Sequence, residues 1–461
     1  MQTSPEDYLL KNPDLLFLKS SGDHLNRSEF LKKIKIAAKK LKETGLQKGD
    51  VVLLSLIDDL RQIILFFAVW ANQAIIFPVN PRMPDGQIKN LIQSSRAKFI
   101  LTDSGEALNN ITCIGINNFF SDQNLSSPVP GFKWDITAPA TIILTSGSSG
   151  NPKLVVHSLQ NHIESAKSVN TYFGIKESDC WLLALPLYHV AGLAILFRCL
   201  ISTMYICIAK SKANPFEDTS YAADYVSLVP AQLSAVLENK KVLSHLKSYK
   251  AIFLGGSAIP RTVLNKLIPH NFKIYSSYGL TEMASTVAIK YISGGDTSQA
   301  QILSGNTVKI NNKKELLIKG PSLFSGYLIN GKINKATDDE GWFHSKDLGE
   351  ITDGKITVLG RVDNIFISGG ENISPEEIEK ELLKINGIYQ AIVVPKKDKK
   401  YGERPVAFIE LKSDLNEEII KSHLKKHLPG FKIPVHILPW PVNRNSHALK
   451  INRNYFKTLI V

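Results

Sequence analysis

The chain has 461 residues, 44% hydrophobic and 21% charged, with a formal net charge of +13. That is too long for one hydrophobic core, so two or more units are expected, and the composition is ordinary for a soluble globular protein. The longest apolar runs, 63–71 and 191–201, are too short to span a bilayer, and the lysines are spread along the chain without a nucleic-acid motif, so neither a membrane span nor a nucleic-acid partner is expected.

The N-terminus, "MQTSPEDYLLKNPDLL", is acidic and polar with no signal-peptide core, which makes the cytoplasm the expected location. Residues 28–45 carry apolar residues at helical spacing, with Gly45 suited to the C-terminal cap. "KGDVVLLSL" reads as a turn and buried strand, "DLRQIILFFAVWANQA" as a helix, "IIFPVN" as a strand, "PDGQIKNLIQSSRA" as a helix and "KFILTD" as a strand. This βα alternation, continued by "CWLLALPL", "YICIA", "YVSLV", "AIFLGG" and "KIYSSYG", predicts an α/β fold with helix-flanked parallel sheets. Beyond about residue 300, "TVKI", "ELLIKG" and "GEITDGKITVLGR" predict short strands and a small β-barrel-like section. "NIFISGGENISPEEIEKELLKI" predicts a strand, a loop and a helix capped by Ser374, with Pro375, Glu376 and Glu377 in its first turn. With "AIVVPK", "RPVAFIEL" and "LNEEIIKSHLKKHLPG" it forms a compact α+β unit. The expected division is 1–362 and 363–461. Cys113, Cys180, Cys199 and Cys207 lack metal-like spacing and are expected to fill core space.

"TSGSSGNPK" (145–153) follows an apolar strand. It does not fit the GxxxxGKS/T phosphate loop, yet glycines that let backbone N–H groups approach an anion, the hydroxyls of Thr145, Ser146, Ser148 and Ser149, and the Lys153 cation suit a phosphate cradle. On its own residues the stretch reads equally well as a mobile loop.

Four further stretches follow in order: "SYGLTEMAS" (277–285), "GWFHSKDLGEI" (341–351), "GRVDNIFISGGENISPEEIE" (360–379) and "NSHALKINR" (445–453). With the Ser/Gly loop they resemble the acyl-adenylate-forming superfamily over nearly the whole chain. "LPLYHVAGLAILFR", "SLVPAQL" and "AIFLGGSAIP" are most similar to the o-succinylbenzoate–CoA ligases of menaquinone biosynthesis within it.

The resemblance implies a mobile C-terminal domain, ATP and Mg²⁺, and coenzyme A as co-substrate. It implies that Thr145, Ser146, Gly147, Ser148, Ser149, Gly150 and Lys153 hold the outer phosphates. Gly255, Gly256 and Ser257 would lie along the purine, with Tyr278 on the adenine face, Gly279 beside it and Thr281 facing the nucleotide. Glu282 would bind Mg²⁺, Asp347 the ribose hydroxyls and Arg361 the ribose side. Lys450 would be the catalytic lysine, Asp363 the hinge, and Ser368, Gly369 and Gly370 part of the pantetheine tunnel. His189 would stand beside the reacting carboxylate, with Ser227 bordering the pocket. Arg198, a cation in an apolar helix, needs an anion, either a protein carboxylate or the second carboxylate of a dicarboxylic substrate.

Two residues depart from the family's wording, Lys346 and Leu449, each where a glycine is usual. Lys346 is expected to contact phosphate or water. An aryl or fatty acid other than succinylbenzoate, a carrier protein as acceptor, or a nucleotide-binding protein impaired in catalysis stay open, as does a homo-oligomer.

Overall fold

In the computed structural model, residues 3–103, 111–116, 120, 132–145, 152–176, 178–217, 223–237, 239–256, 259, 261–292, 299–411, 415–441 and 453–460 are described. Burial follows the apolar periodicity. The helix Arg27–Glu43 buries Phe30, Leu31, Ile34, Ala37, Ala38 and Leu41 at three- and four-residue spacing and leaves Lys32 and Lys33 exposed. Asn26 and Glu29 close its N-terminus in a reciprocal capping box, and Gly45, at φ +90°, leads the chain away one residue beyond the Thr44 cap. The helix Asp59–Ala71 is buried at every residue from Gln62 to Ala71, and so lacks a polar stripe.

Among the described residues, two large sheets sandwich these helices. Eight strands form one, in the order 332–334, 326–329, 153–158, 139–145, 75–78, 51–55, 99–102 and 112–115. Thirteen strands form the other, which runs from 307–310 through 343–352, 285–292, 274–280 and 180–183 to 24–26. The predicted βα strands pair in parallel, as 51–55 does with both 75–78 and 99–102, and 251–254 with both 225–228 and 274–280. The largest core joins both sheets through the helices, with Phe66, Phe67, Trp70, Phe197, Val52, Trp181 and Phe253 among its members. Each such side chain removed from water contributes about 1.5–3 kcal/mol. The short strands after residue 300 form no separate unit: 300–302, 307–310, 315–319, 343–352 and 355–361 extend the thirteen-stranded sheet, and 326–329 and 332–334 extend the other.

The 3₁₀ turn Val362–Asn364 separates the last strand of the large sheet from a third sheet of five strands. The stretch read as one strand and a loop is a hairpin, Phe366–Ser368 with Glu371–Ile373, around Gly369 (φ +59°) and Gly370 (φ +87°). Two consecutive positive φ values match the right-handed twist of a two-residue hairpin and favour glycine at both positions. The helix Pro375–Leu382 follows, but Ser374 does not cap it through its side chain. Its hydroxyl donates to Glu376 Oε2 instead (3.3 Å). None of the four cysteines is in a disulfide; three are buried and Cys113 is half-buried. Among the described residues no helix is long and apolar enough to cross a membrane.

Candidate active site

Thr145 ends the strand Pro139–Thr145 and Lys153 begins the strand Lys153–Ser158. The two residues are antiparallel partners, so the sheet itself clamps the mouth of the Ser/Gly loop. Residues Ser146, Gly147, Ser148, Ser149 and Gly150 lie outside the described residues. Lys153 Nζ stands 4.6 Å from the centre of the Tyr327 ring, and the Tyr327 hydroxyl donates to Glu282 Oε1 at 2.7 Å. Burial, then the Glu282 charge, pushes the Tyr327 phenol well up, so it remains a donor. Tyr327 thus links the loop's lysine to the carboxylate expected to bind metal. It reaches there because its strand, Gly326–Ile329, pairs with Lys153–Ser158.

Thr281 and Glu282 lie in a 3₁₀ turn, Thr281–Met283, bolted to the opposite sheet. His157 Nε2 meets the Thr281 carbonyl at 2.8 Å, and Phe324 N donates to the Glu282 carbonyl at 2.8 Å. Burial depresses His157 to about 4, so at neutral pH its imidazole is uncharged and donates Nε2–H to that carbonyl. Gly279 is required by the hairpin just before this turn, because a Cβ there would lie 1.9 Å from the Ser285 carbonyl oxygen. Glu282 offers hard carboxylate oxygens, one oriented by Tyr327, which is a donor set suited to Mg²⁺.

Asp347 and Arg361 are cross-strand partners. Asp347 is 5% exposed. Its Oδ1 accepts from Arg361 Nη1 at 2.6 Å and its Oδ2 from the Tyr278 hydroxyl at 2.8 Å. Burial pushes the Asp347 carboxyl up, against the lowering influence of Arg361. The expected ribose and adenine residues therefore form one connected cluster. Gly255 and Gly256 follow the neighbouring strand Ala251–Leu254. A Cβ at Gly255 would stand 2.7 Å from Ser277 Oγ, and Gly256 has φ +87°. Ser257 lies outside the described residues.

Arg198 is 3% exposed in the helix Val190–Leu200. Its guanidinium stands 4.8 Å from the Trp181 ring centre and 5.6 Å from that of Phe253, and Nη2 donates to Thr286 Oγ1 at 3.2 Å. Nε is buried without a partner, and no carboxylate pairs with this arginine among the described residues. Burial lowers its pKa to about 10. Of the two anions expected for it, a protein carboxylate is not present among those residues. Ser227 is the register partner of Phe253 and so shares the sheet face that carries the Phe253 ring. His189, half-buried, precedes the same helix at its other end, so His189 and Arg198 are separated by roughly 13 Å along the axis.

Lys346 gains a partner that the sequence did not indicate. It holds φ +62°, the left-handed conformation that suits the family's glycine, at a cost of about 1–2 kcal/mol. Its ammonium lies 3.3 Å from Asp363 Oδ1, and Arg361 Nη2 lies 3.6 Å from Asp363 Oδ2. Two cations thus grip the expected hinge. Ser368 is buried, and Gly369 N donates to the Tyr401 carbonyl at 2.9 Å.

Lys450 and Leu449 lie outside the described residues, but Arg453, three positions later, is anchored. It pairs with Glu379 (2.5 Å) and Glu376 (3.3 Å) and donates to the Val393 carbonyl. Glu376 also accepts from Asn364 Nδ2 in the hinge turn (2.5 Å). One carboxylate in the first turn of Pro375–Leu382 therefore connects the turn Val362–Asn364 to Arg453.

The fold and these clusters define a nucleotide-using ligase. Residues 6–328 match the AMP-binding enzyme family and residues 377–444 its C-terminal domain, and the chain belongs to that family. The 2-succinylbenzoate–CoA ligase of Salmonella typhimurium is 33% identical over 437 residues, 95% of this chain and 93% of that one. The o-succinylbenzoate CoA synthetase (MenE) of Bacillus subtilis, in complex with the acyl-adenylate intermediate OSB-AMP, matches with a TM-score of 0.87 at 26% identity over 99% of both chains. The same enzyme in complex with ATP and magnesium ion gives 0.85 at 26% identity, over 98% of this chain and 99% of that one.

Proposed function

We propose that this protein joins o-succinylbenzoate to coenzyme A in two half-reactions, releasing pyrophosphate and then AMP. The relatives named as 2-succinylbenzoate–CoA ligases, and the whole-chain likeness to MenE bound to its adenylate, support the reaction. The buried Arg198 without a carboxylate partner is the observation that carries the substrate.

In the first half-reaction a carboxylate oxygen of the acid attacks the α-phosphorus of ATP. The bond to the bridging oxygen breaks and pyrophosphate leaves. Mg²⁺, when bound, neutralises charge on the phosphates. Glu282 is its proposed ligand, oriented by Tyr327. Thr145, the loop 146–150 and Lys153 hold the outer phosphates. Asp347, steadied by Tyr278 and Arg361, accepts from the ribose hydroxyls, and Gly255 and Gly256 leave room for the purine. His189 stands beside the reacting carboxylate. Arg198 takes the other carboxylate, its cation kept in a pocket walled by Trp181 and Phe253. Lys450 supplies positive charge where negative charge develops. The unit 363–461 then turns about Asp363, away from the Lys346 and Arg361 contacts, and the hairpin at Gly369 and Gly370 admits the pantetheine thiol to the acyl carbon. ATP and CoA as substrates, with no cysteine in a disulfide, suit a cytoplasmic enzyme.

Replacing Arg198 by leucine tests the substrate assignment. A charge-assisted bond lost in a dry pocket is worth roughly 1.5–3 kcal/mol, so kcat/KM for o-succinylbenzoate should fall about ten- to a hundredfold. An analogue lacking the second carboxylate should be spared. Equal losses for both acids, with a lowered Tm, would assign Arg198 to the fold alone.

A further inference from the structure

The five-stranded domain carries a group of side chains that the ligase reaction does not use. Its helices Pro375–Leu382 and Glu417–His427 pack through Ile378, Leu382, Ile420 and Leu424. His423 and His427 are four residues apart, on the face of the second helix that also carries Ile420 and Leu424. Their rings lie 4.6 Å apart at 12°. Glu381 faces them from the first helix, and one ligand atom from each of the three residues lies within 4.8 Å of the others.

The hydrogen bonding of this group is incomplete. Glu381 Oε1 takes the Lys384 ammonium at 2.6 Å, but Oε2 is buried with no partner. His423 Nε2 is likewise buried with no partner. A buried carboxylate oxygen and a buried imidazole nitrogen are costly to leave unpaired, and both turn up at the same place. His427 Nδ1 lies 3.3 Å from the His423 carbonyl oxygen, which can only accept, so Nδ1 carries a proton, and in the neutral ring Nε2 is the nitrogen with the lone pair. A backbone carbonyl fixing the tautomer in this way is the usual second-shell support of a metal-bound histidine.

We propose that Glu381, His423 and His427 form a binding site for a divalent transition-metal cation of the Zn²⁺ class. Two imidazoles and one carboxylate are a common zinc donor set, which leaves a fourth position for water. Ligands at ordinary zinc distances stand roughly 3.4 Å apart around a tetrahedral ion, so the three side chains close inward by about an ångström on binding. Lys384 already occupies one Glu381 oxygen, and Lys425 and Lys426 flank the histidines in sequence, which lowers the affinity for a cation. The ion would tie together two helices of the small domain, one of which holds Asn364 and Arg453 through Glu376.

The test uses the full chain, freed of metal with a chelator and kept without ATP. Zn²⁺ is titrated calorimetrically, and Co²⁺ by its visible absorption. The expected result is one equivalent of Zn²⁺ bound, with a tetrahedral Co²⁺ spectrum. The change His427→Ala, at an exposed position that the fold tolerates, should weaken binding at least about tenfold. The double change His423→Ala with His427→Ala should abolish it. Ligase activity with saturating Mg-ATP should stay the same in His427→Ala. No stoichiometric uptake by the unaltered chain, or uptake undiminished in the double variant, overturns the proposal. Neither result bears on the ligase assignment, which rests on other residues.

Discussion

Lys450→Ala should abolish adenylate formation and leave the thioester step largely intact. The attacking carboxylate and the α-phosphate are both anions, and the negative charge grows between them as the bond forms. A cation placed there and withdrawn afterwards acts on one half-reaction only. Positioned charge of this kind at a transferring phosphoryl group is worth about 10³–10⁵ in rate, so acid-dependent pyrophosphate exchange should fall by at least about a thousandfold. Thioester formation from supplied succinylbenzoyl-adenylate and CoA should change by less than about tenfold. Equal losses in both assays would remove the assignment of Lys450 to one half-reaction.

Asp347→Asn should weaken ATP and AMP alike. The carboxylate is proposed to accept from both ribose hydroxyls, which the two nucleotides share. Two charge-assisted bonds at roughly 1.5–3 kcal/mol each place the expected loss in nucleotide affinity at about 10²–10⁴-fold. The change also removes the charge that Arg361 and Tyr278 now meet at 2.6 and 2.8 Å, so Tm should drop as well. The discriminating readout is the ratio of ATP to AMP affinity, which a purely structural defect and a ribose defect both leave constant but a phosphate defect does not. Asp347→Glu, which restores the charge one methylene out, should recover stability before it recovers affinity. Loss confined to ATP would move Asp347 away from the ribose.

Much of this was legible in the chain because local patterns and local structure coincide. Alternating apolar runs such as "VVLLS" and "AIFL" become the buried parallel strands Val51–Ser55 and Ala251–Leu254, and Pro375 opens its helix. The motifs suggested one nucleotide site for Tyr278, Asp347 and Arg361, and in the structure both Tyr278 and Arg361 donate to Asp347. What escaped was set by pairing across long separations. Tyr327 carries no local sign of its role and reaches Lys153 and Glu282 only because two strands far apart in sequence lie side by side. The glycine wording of the family pointed to a backbone conformation. The chain keeps that conformation at Lys346 with a different residue and uses the added side chain on Asp363, a contact that depends on the hinge turn lying nearby. The two glycines 369 and 370 look like loop residues, and only the pairing of Phe366–Ser368 with Glu371–Ile373 shows a hairpin. His423 and His427 read as polar members of a lysine-rich helix until a second helix brings Glu381 to them.

The central claim is that this chain activates one particular dicarboxylic acid as its adenylate. Pyrophosphate exchange into ATP, measured with Mg²⁺ across a panel of carboxylic acids and without CoA, tests it most directly. The account predicts exchange that depends on o-succinylbenzoate, with kcat/KM at least about tenfold above that of aryl monocarboxylates or fatty acids, the share assigned to the second carboxylate at Arg198. Exchange that is equally fast with monocarboxylates, or absent with o-succinylbenzoate, would contradict it.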